Sequence, residues 1–219
     1  MTEDRTERWR RYWDKQATGY DRQMGVFDRV LFADSRDWVC RQAVGDVLEV
    51  AIGTGLNLAH YPTEVTLTGI EFSPAMLAIA RRRAADLHRV VDLREGDAHK
   101  LDFPDASFDT VVCTFSLCAI PDEQRAVAEM RRVLRPGGLL LLADHVASSL
   151  GPVRGLQRLL ELATVPWGGE HFLRRPVQTI QAAGFSVHQR QRFTLGIVER
   201  LAAHKPQRPT SIDQALPDA

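Results

Sequence analysis

Short apolar runs alternate with helical patterns through the middle of the chain, and this alternation restricts its fold more than any other feature. The apolar runs have the length of buried strands and lie at residues 46–50, 66–71, 90–94, 108–113 and 138–144. Amphipathic patterns at 74–87 and 122–134 separate several of them. Ser73 and Pro74 supply an N-cap and a proline at the first helical position. Strands and helices at this spacing predict an α/β fold, a doubly wound and mostly parallel sheet with helices on both faces.

The chain divides into one large domain and smaller flanking segments. Residues 1–44 carry aromatic side chains at spacings of three and four, which predicts an N-terminal helical cap that packs on the domain or over a pocket. Weak contact of these aromatics with a membrane surface is the alternative. The predicted domain covers 45–205. Its glycine- and proline-containing insertion at 146–175 is expected to act as a substrate lid, and 206–219 as a flexible tail.

Charge and cysteine content exclude several classes of function. The 28 basic and 28 acidic residues balance, which argues against a nucleic-acid binder that neutralises phosphates. Three cysteines without CxxC spacing, and histidines without ligand spacing, predict neither a disulfide framework nor a metal site. No signal peptide and no apolar stretch of membrane-spanning length is found, so we expect a cytoplasmic protein.

The segment 47–57 holds the most informative motif. A strand ends there, and a tight turn containing Gly53 and Gly55 opens the next element. Such a turn lets a ligand approach the backbone, either the pyrophosphate of a dinucleotide or S-adenosylmethionine. Glu71 ends the second strand, where a carboxylate can accept both ribose hydroxyls. Glu49 could hold the turn and a ligand's amino group, and Asp97 follows the third strand, where it could accept from an adenine amino group.

Four motifs in order resemble those of the class I S-adenosylmethionine-dependent methyltransferases. They are ExxxGTG at 49–55, GIEFSPAML at 69–77, GDAHKLDFPDASFD at 96–109 and VLRPGGLLLL at 133–142. The resemblance implies a seven-stranded Rossmann-like methyltransferase fold, the cofactor S-adenosyl-L-methionine and methyl transfer to a small molecule. Ala51 departs from the pattern, because the family's first glycine stands there. We predict cofactor contacts at Glu49, Ala51, Ile52, Gly53, Gly55, Asn57, Glu71, Phe72, Met76, Asp97, Ala98, Thr114 and Phe115.

The substrate prediction rests on a closer resemblance, to the methyltransferase-like 7 group of alkyl thiol methyltransferases and its bacterial relatives. The shared segments are 53–62, 111–120 and 144–146. This resemblance implies S-methylation of a small, fairly hydrophobic thiol. Bacterial phospholipid N-methyltransferases and quinone methyltransferases look similar over the same core, so N-methylation of a phospholipid amine and C- or O-methylation of a quinone remain open. A cofactor-binding sensor without activity is the alternative from another class.

Two residues are candidates for the catalytic step. His145 ends the fifth predicted strand, at the edge of the sheet where α/β proteins bind ligands, and could act as a base. Tyr20, with Asp21, resembles the family's N-terminal element and could cover the methyl group. Cys113 and Cys118 are better explained as core residues, because direct methyl transfer needs no covalent enzyme intermediate.

Overall fold

The computed structural model describes residues 3–207, apart from the side chains of residues 3–5 and 167–168. Its sheet has seven strands in the order β3-β2-β1-β4-β5-β7-β6. Strands β1 to β5 pair in parallel, while β7 runs antiparallel to β5 and β6. The strands are β1 Asp46–Val50, β2 Thr66–Glu71, β3 Asp92–Glu95, β4 Phe108–Thr114, β5 Leu134–His145, β6 Ser186–Phe193 and β7 Val198–His204. The predicted tail lies outside the described residues beyond position 207.

Helices cover both faces of the sheet, as the doubly wound prediction requires. They are α1 Glu3–Phe27, followed by a π-helical turn at Asp28–Phe32, then α2 Ser35–Cys40, α3 Pro74–Asp86, α4 Glu123–Val133, α5 Gly151–Gly168 and α6 Pro176–Ala182. Buried side chains of α4 and α6 share one apolar cluster with the sheet. Side chains of α2 and α3 share a second apolar cluster with the sheet. The predicted Rossmann-like methyltransferase fold is therefore confirmed.

The helix boundaries follow local sequence signals. Ser73 accepts a hydrogen bond from the Met76 N–H and so caps α3, while Asp122 caps α4 through the Arg125 N–H. The sequence pattern located most strands within a few residues. Two differences are that β3 begins at Asp92 and that β5 already begins at Leu134. Much of the predicted insertion is helical, because α5 occupies Gly151–Gly168 with a proline in its first turn.

Two aspartates fasten α1 to the domain, and a third fastens the turn after α1 to α2. Asp14 accepts from the Ser73 hydroxyl, and Asp21 accepts from the Thr54 hydroxyl at 2.6 Å. Asp28 accepts from the Arg36 guanidinium at 3.1 Å. The seven-residue spacing places Asp14 and Asp21 on the same side of α1, the side that meets the domain. The long first helix is thereby held across the carboxyl edge of the sheet.

Candidate functional site

A cavity opens where the carboxyl ends of β1, β2 and β4 meet α1. It encloses about 810 Å³, part of which is open to solvent. Clefts lined by apolar and aromatic side chains with a few polar groups are the usual place of cofactor binding. Eight of the predicted cofactor contacts line it, namely Ala51, Gly53, Glu71, Phe72, Met76, Asp97, Ala98 and Phe115. The topology therefore gathers residues from three of the four sequence motifs, together with Phe115 after β4, into one concave site.

The glycine turn follows β1 and presents its backbone to the cavity. Ala51 adopts a left-handed conformation with φ of 56°, which a glycine would adopt without strain. Gly53 also has positive φ, and a side chain there would meet only the Tyr20 ring, at 4.0 Å. Gly55 has a different reason to be glycine. A Cβ at Gly55 would lie 2.8 Å from Leu58, so this position serves the packing of the turn and does not line the cavity.

The Glu71 carboxylate is oriented by two backbone donors at the end of β2. One oxygen accepts the Gly53 N–H at 2.9 Å and the other accepts the Ser73 N–H at 2.8 Å. Each oxygen keeps a further acceptor position, which suits the two adjacent hydroxyls of a ribose. Burial raises the pKa of Glu71, and the backbone donors oppose this rise.

Asp97 and His99 form a second polar group after β3. Asp97 accepts from the His99 N–H at 2.8 Å and from Nδ1 of the His99 ring at 2.7 Å. The other ring nitrogen, Nε2, accepts the Asp122 N–H at 3.2 Å, so the ring is neutral with its proton on Nδ1. Burial raises the pKa of Asp97, but the hydrogen bonds from His99 outweigh burial and the net pKa is lowered. Asp97 is thus an ionised acceptor, as recognition of an adenine amino group requires.

Glu49 lies beneath the cavity. Its two oxygens accept from the Asn57 amide at 2.7 Å and from the Tyr61 hydroxyl at 2.9 Å. Asn57 also donates to the Thr114 hydroxyl at 2.8 Å, so these side chains form a closed network. Burial raises the pKa of Glu49 to about 7, against the hydrogen bonds from Tyr61 and Asn57. We predicted direct cofactor contacts at Glu49, Asn57 and Thr114, but their polar groups bind each other and stabilise the turn from below.

Ile52 also lies outside the lining of the cavity. Its side chain packs under the turn, where a Cβ built on Gly69 would lie 2.6 Å from Ile52 Cδ1. The alternation of side chains along the chain explains this placement. Ala51 and Gly53 face the cavity, whereas the intervening Ile52 side chain joins the apolar cluster beside α2 and α3.

An aromatic wall from α1 closes the cavity. Trp9, Trp13 and Tyr20 all line it, and the Trp13 and Tyr20 rings meet edge to face at 6.4 Å. These rings face the domain, and the membrane contact considered for the N-terminal aromatics stays a prediction. Trp9 also packs against Gly169 at the end of α5. The predicted placement of Tyr20 over the site agrees with this arrangement.

His145 stands beside the cavity and does not line it. Its ring packs on Phe172, with 4.8 Å between centroids, and its Nδ1 atom is buried without a hydrogen-bond partner. The preceding Asp144 is buried and accepts the N–H groups of Cys118 at 3.0 Å and His145 at 2.8 Å. His145 is therefore outside the described lining of the cavity, and its role as a base stays a prediction.

Asp144 and His145 are also part of a group of possible metal ligands. One ligand atom each from Cys118, Asp144 and His145 lie within 4.8 Å of one another. The prediction of no metal site considered the spacing of histidines along the chain. It could not foresee a group that only the pairing of neighbouring strands brings together.

Several cavity residues were not among the predicted contacts. They are Trp9, Trp13, Ile70, Gly96, His99, Ser116, Ala119, Ile120 and Pro121. His99 and Ser116 carried a signal, since each lies within three residues of a predicted contact at a strand end. The aromatic residues of α1 carried only helical periodicity, which does not reveal which face meets a pocket. Across residues 3–207, no helix is both long and apolar enough to cross a bilayer.

Comparison with known proteins agrees with this geometry. Residues 48–142 match the methyltransferase domain family. Phosphatidylethanolamine N-methyltransferase of Cereibacter sphaeroides is 42% identical over 135 residues, which are 60% of this chain and 66% of that protein. Demethylmenaquinone methyltransferase of Deinococcus radiodurans is 40% identical over 116 residues, 52% of this chain and 48% of that protein. The chain thus spans between about half and just under two thirds of these relatives.

A solved S-adenosylmethionine-dependent methyltransferase from Thermotoga maritima has the same fold. It superposes with a TM-score of 0.69 at 21% identity and covers 89% of this chain and 99% of its own. The order of the strands, the glycine turn after β1 and the carboxylate after β2 occur together with the sequence match. The chain therefore carries a class I, S-adenosylmethionine-dependent methyltransferase domain, whose matched core is residues 48–142.

Proposed function

We propose that the whole protein transfers the methyl group of S-adenosylmethionine to an amine carried by an apolar molecule. The observation that carries this proposal is the charge of the cavity. Among its described lining residues, the carboxylates of Glu71 and Asp97 can carry charge, the His99 ring is neutral, and none is Lys or Arg. Aromatic rings form much of the remaining wall. Carboxylates and aromatic faces favour cations, both the sulfonium of the donor and an ammonium.

The residues present fit the cofactor. Glu71 would hold the ribose hydroxyls, Asp97 the adenine amino group, and the turn from Ala51 to Gly53 the amino-acid part. Bound S-adenosylmethionine supplies an electrophilic methyl group on a positive sulfur. The chain's own contribution is to align donor and acceptor and to exclude water with the α1 aromatics.

The electrostatics beside the cavity favour an amine over the thiol that the resemblance implied. Burial raises the pKa of the Cys118 thiol, and the charges of Asp144 and Glu170 raise it further. If a substrate thiol is held near these same carboxylates, they oppose its ionisation, and the thiol is a far weaker nucleophile than the thiolate. An ammonium would instead be attracted and then lose its proton to a neighbouring base.

We propose Glu170 as that base; like His145, it lies outside the residues that line the cavity. It follows the end of α5, next to the Gly169 turn that packs on Trp9, and its charge raises the pKa of the cavity residue Tyr20. Burial raises the pKa of Glu170 itself, which brings the carboxylate closer to the range where it can take a proton near neutral pH. His145 lowers the pKa of Glu170 and would position it, which replaces the direct role predicted for His145.

A panel of matched acceptors tests the proposal by release of S-adenosylhomocysteine. The panel contains a long-chain primary amine, the thiol of the same chain length, a reduced naphthoquinone, and phosphatidylethanolamine in detergent micelles. We expect turnover of the amine and of phosphatidylethanolamine well above that of the thiol. Preference for the thiol would restore the alkyl thiol assignment, and preference for the quinone would favour the activity named for the Deinococcus radiodurans relative. Tight binding of S-adenosylhomocysteine without turnover of any acceptor would favour a sensor.

A further inference from the structure

We infer that α5 and the outer side of α1 together form a docking surface for an anionic lipid bilayer. This inference concerns a surface and stands apart from the chemistry of the cavity. The additional step, that the substrate amine is a lipid headgroup reached from this surface, rests on the proposed function.

Helix α5 places its polar side chains inward and its leucines outward, the reverse of an ordinary surface helix. Gln157 is buried, accepts the Ser148 N–H at 2.7 Å and donates to the Val146 carbonyl at 2.8 Å. Glu161 accepts the Leu173 N–H at 2.8 Å, and Thr164 donates to the Glu170 carbonyl. The polar side of the helix is therefore occupied by the domain.

The outer side of α5 is apolar and uncovered. Five leucines on α5 or at its N-cap are 45% to 73% exposed, namely Leu150, Leu156, Leu159, Leu160 and Leu162. Pro152, Gly155 and Ala163 are also exposed, and at 100° per residue they fall among these leucines. A contiguous exposed apolar face of this kind marks an interaction surface. Arg158 lies at its edge, where a long cationic side chain can reach lipid headgroups.

The outer side of α1 and of the turn after it is basic. Asp14 and Asp21 accept hydrogen bonds from the domain, and Asp28 accepts one from Arg36 of α2. The exposed charged side chains described along residues 6–32 are Glu7, Arg8, Arg11, Lys15, Arg22 and Arg29. They comprise one acid and five cations, so this surface attracts anions.

The two helices that carry these surfaces adjoin, because Trp9 of α1 packs on Gly169 at the end of α5. An apolar helix face beside a row of cations matches the interface of an anionic bilayer, with leucines among the acyl chains and cations at the headgroups. A second copy of the chain would bring one row of cations near another. The charge pattern thus favours a bilayer over self-association.

Sedimentation with vesicles tests the inference. The full chain is mixed with vesicles of phosphatidylcholine alone and with vesicles of equal parts phosphatidylcholine and phosphatidylglycerol. We expect binding to the anionic vesicles that weakens as salt is raised. The variant L156S/L159S/L162S should bind them roughly tenfold or more weakly. The variant R11Q/K15Q/R22Q should lose its preference for anionic over neutral vesicles.

The matched control removes three exposed apolar side chains elsewhere. Val44, Leu87 and Val90 are 59%, 43% and 95% exposed and lie outside both helices. The variant V44S/L87S/V90S should bind vesicles as the unchanged chain does. All variants should bind S-adenosylhomocysteine normally, which shows that they are folded.

Three results would overturn the inference: no binding of the unchanged chain to anionic vesicles, equal losses for the α5 and control variants, or a dimer that the α5 substitutions dissociate. Turnover of a soluble short-chain amine without vesicles separates the two proposals. Turnover without vesicle binding removes the docking surface and leaves the proposed chemistry. Vesicle binding without turnover of any amine keeps the docking surface and removes the proposed chemistry.

Discussion

The indole of Trp9 lies against the backbone of Gly169, so closely that a Cβ on Gly169 would be 1.6 Å from Trp9 Cη2. This contact joins α1 to the end of α5. Gly169 also has φ of 63°, a conformation that favours glycine. Both facts make this position intolerant of a side chain.

We expect Gly169→Ala to lower the free energy of unfolding by about 1 to 3 kcal/mol, since Trp9 must move. Urea unfolding followed by tryptophan fluorescence measures this loss. Gly155→Ala is the control, because Gly155 lies within α5 with nothing near its added Cβ. That change should stabilise the protein by up to about 1 kcal/mol. Equal effects of the two substitutions would contradict the contact.

Replacing Ala51 by glycine should relieve strain. Ala51 has φ of 56°, and a left-handed conformation costs a residue with a side chain about 1 to 2 kcal/mol. Part of this gain is lost to the greater freedom of glycine in the unfolded chain. We expect Ala51→Gly to raise the free energy of unfolding by about 0.5 kcal/mol. Ala78→Gly, on the exposed side of α3, should lower it by about 1 kcal/mol.

Substitution of Glu71 tests the ribose contact. Glu71→Gln removes one of two carboxylate oxygens that are already fixed by backbone N–H groups. We expect S-adenosylhomocysteine to bind more weakly by about 1 to 3 kcal/mol, as measured by titration calorimetry. Glu64→Gln, an exposed acid in the loop before β2, should leave the affinity unchanged. Unchanged affinity in the Glu71 variant would place the nucleoside elsewhere.

Glu49 makes stability depend on pH. Burial raises its pKa from 4.5 to about 7, so between these pH values the folded protein binds more protons than the unfolded chain. Stability from this group is therefore complete below pH 4.5 and is lost as pH rises through 7, by roughly 3 kcal/mol in all. Relative to Glu49→Gln, the unchanged protein should be less stable at pH 8 than at pH 5. A difference independent of pH in urea unfolding would refute this.

Glu170 should shape the pH dependence of turnover. If its carboxylate accepts the substrate's proton, kcat/KM with an amine rises with pH as Glu170 ionises, and its raised pKa moves this rise upward from the usual range of an acid. Glu170→Gln should lower kcat about 100-fold and flatten the profile. Glu161→Gln, a nearby acid occupied by the Leu173 N–H, should keep the profile. A profile unaltered by Glu170→Gln would exclude it as the base.

Particular residues show which parts of the fold and of the site could be predicted from the sequence. The sheet was predictable because apolar runs and the Ser73 cap are local signals, and the order of the motifs fixed the family fold. Glu71 and Asp97 could be proposed as site residues because strand ends meet at one edge of a parallel sheet. Their contacts with the cofactor remain predictions.

The placement of Glu49 could not be predicted in the same way. Its partners Asn57 and Tyr61 are 8 and 12 residues distant, and Asn57 in turn donates to Thr114. Only tertiary structure shows that both carboxylate oxygens are satisfied in this way. The α1 aromatics pose a similar problem. Helical periodicity predicts an amphipathic helix, but whether its buried side meets a core or a cavity depends on where the helix docks.

The aspartates of α1 bind the Thr54 hydroxyl in the glycine turn and the Ser73 hydroxyl that caps α3. Helix α1, which covers the cavity, is therefore hydrogen-bonded to the glycine turn and to the start of α3, where the nucleoside would bind. If the donor enters and leaves past α1, these hydrogen bonds must break and re-form in each turnover. We expect this movement of α1, and not methyl transfer, to limit the rate of turnover.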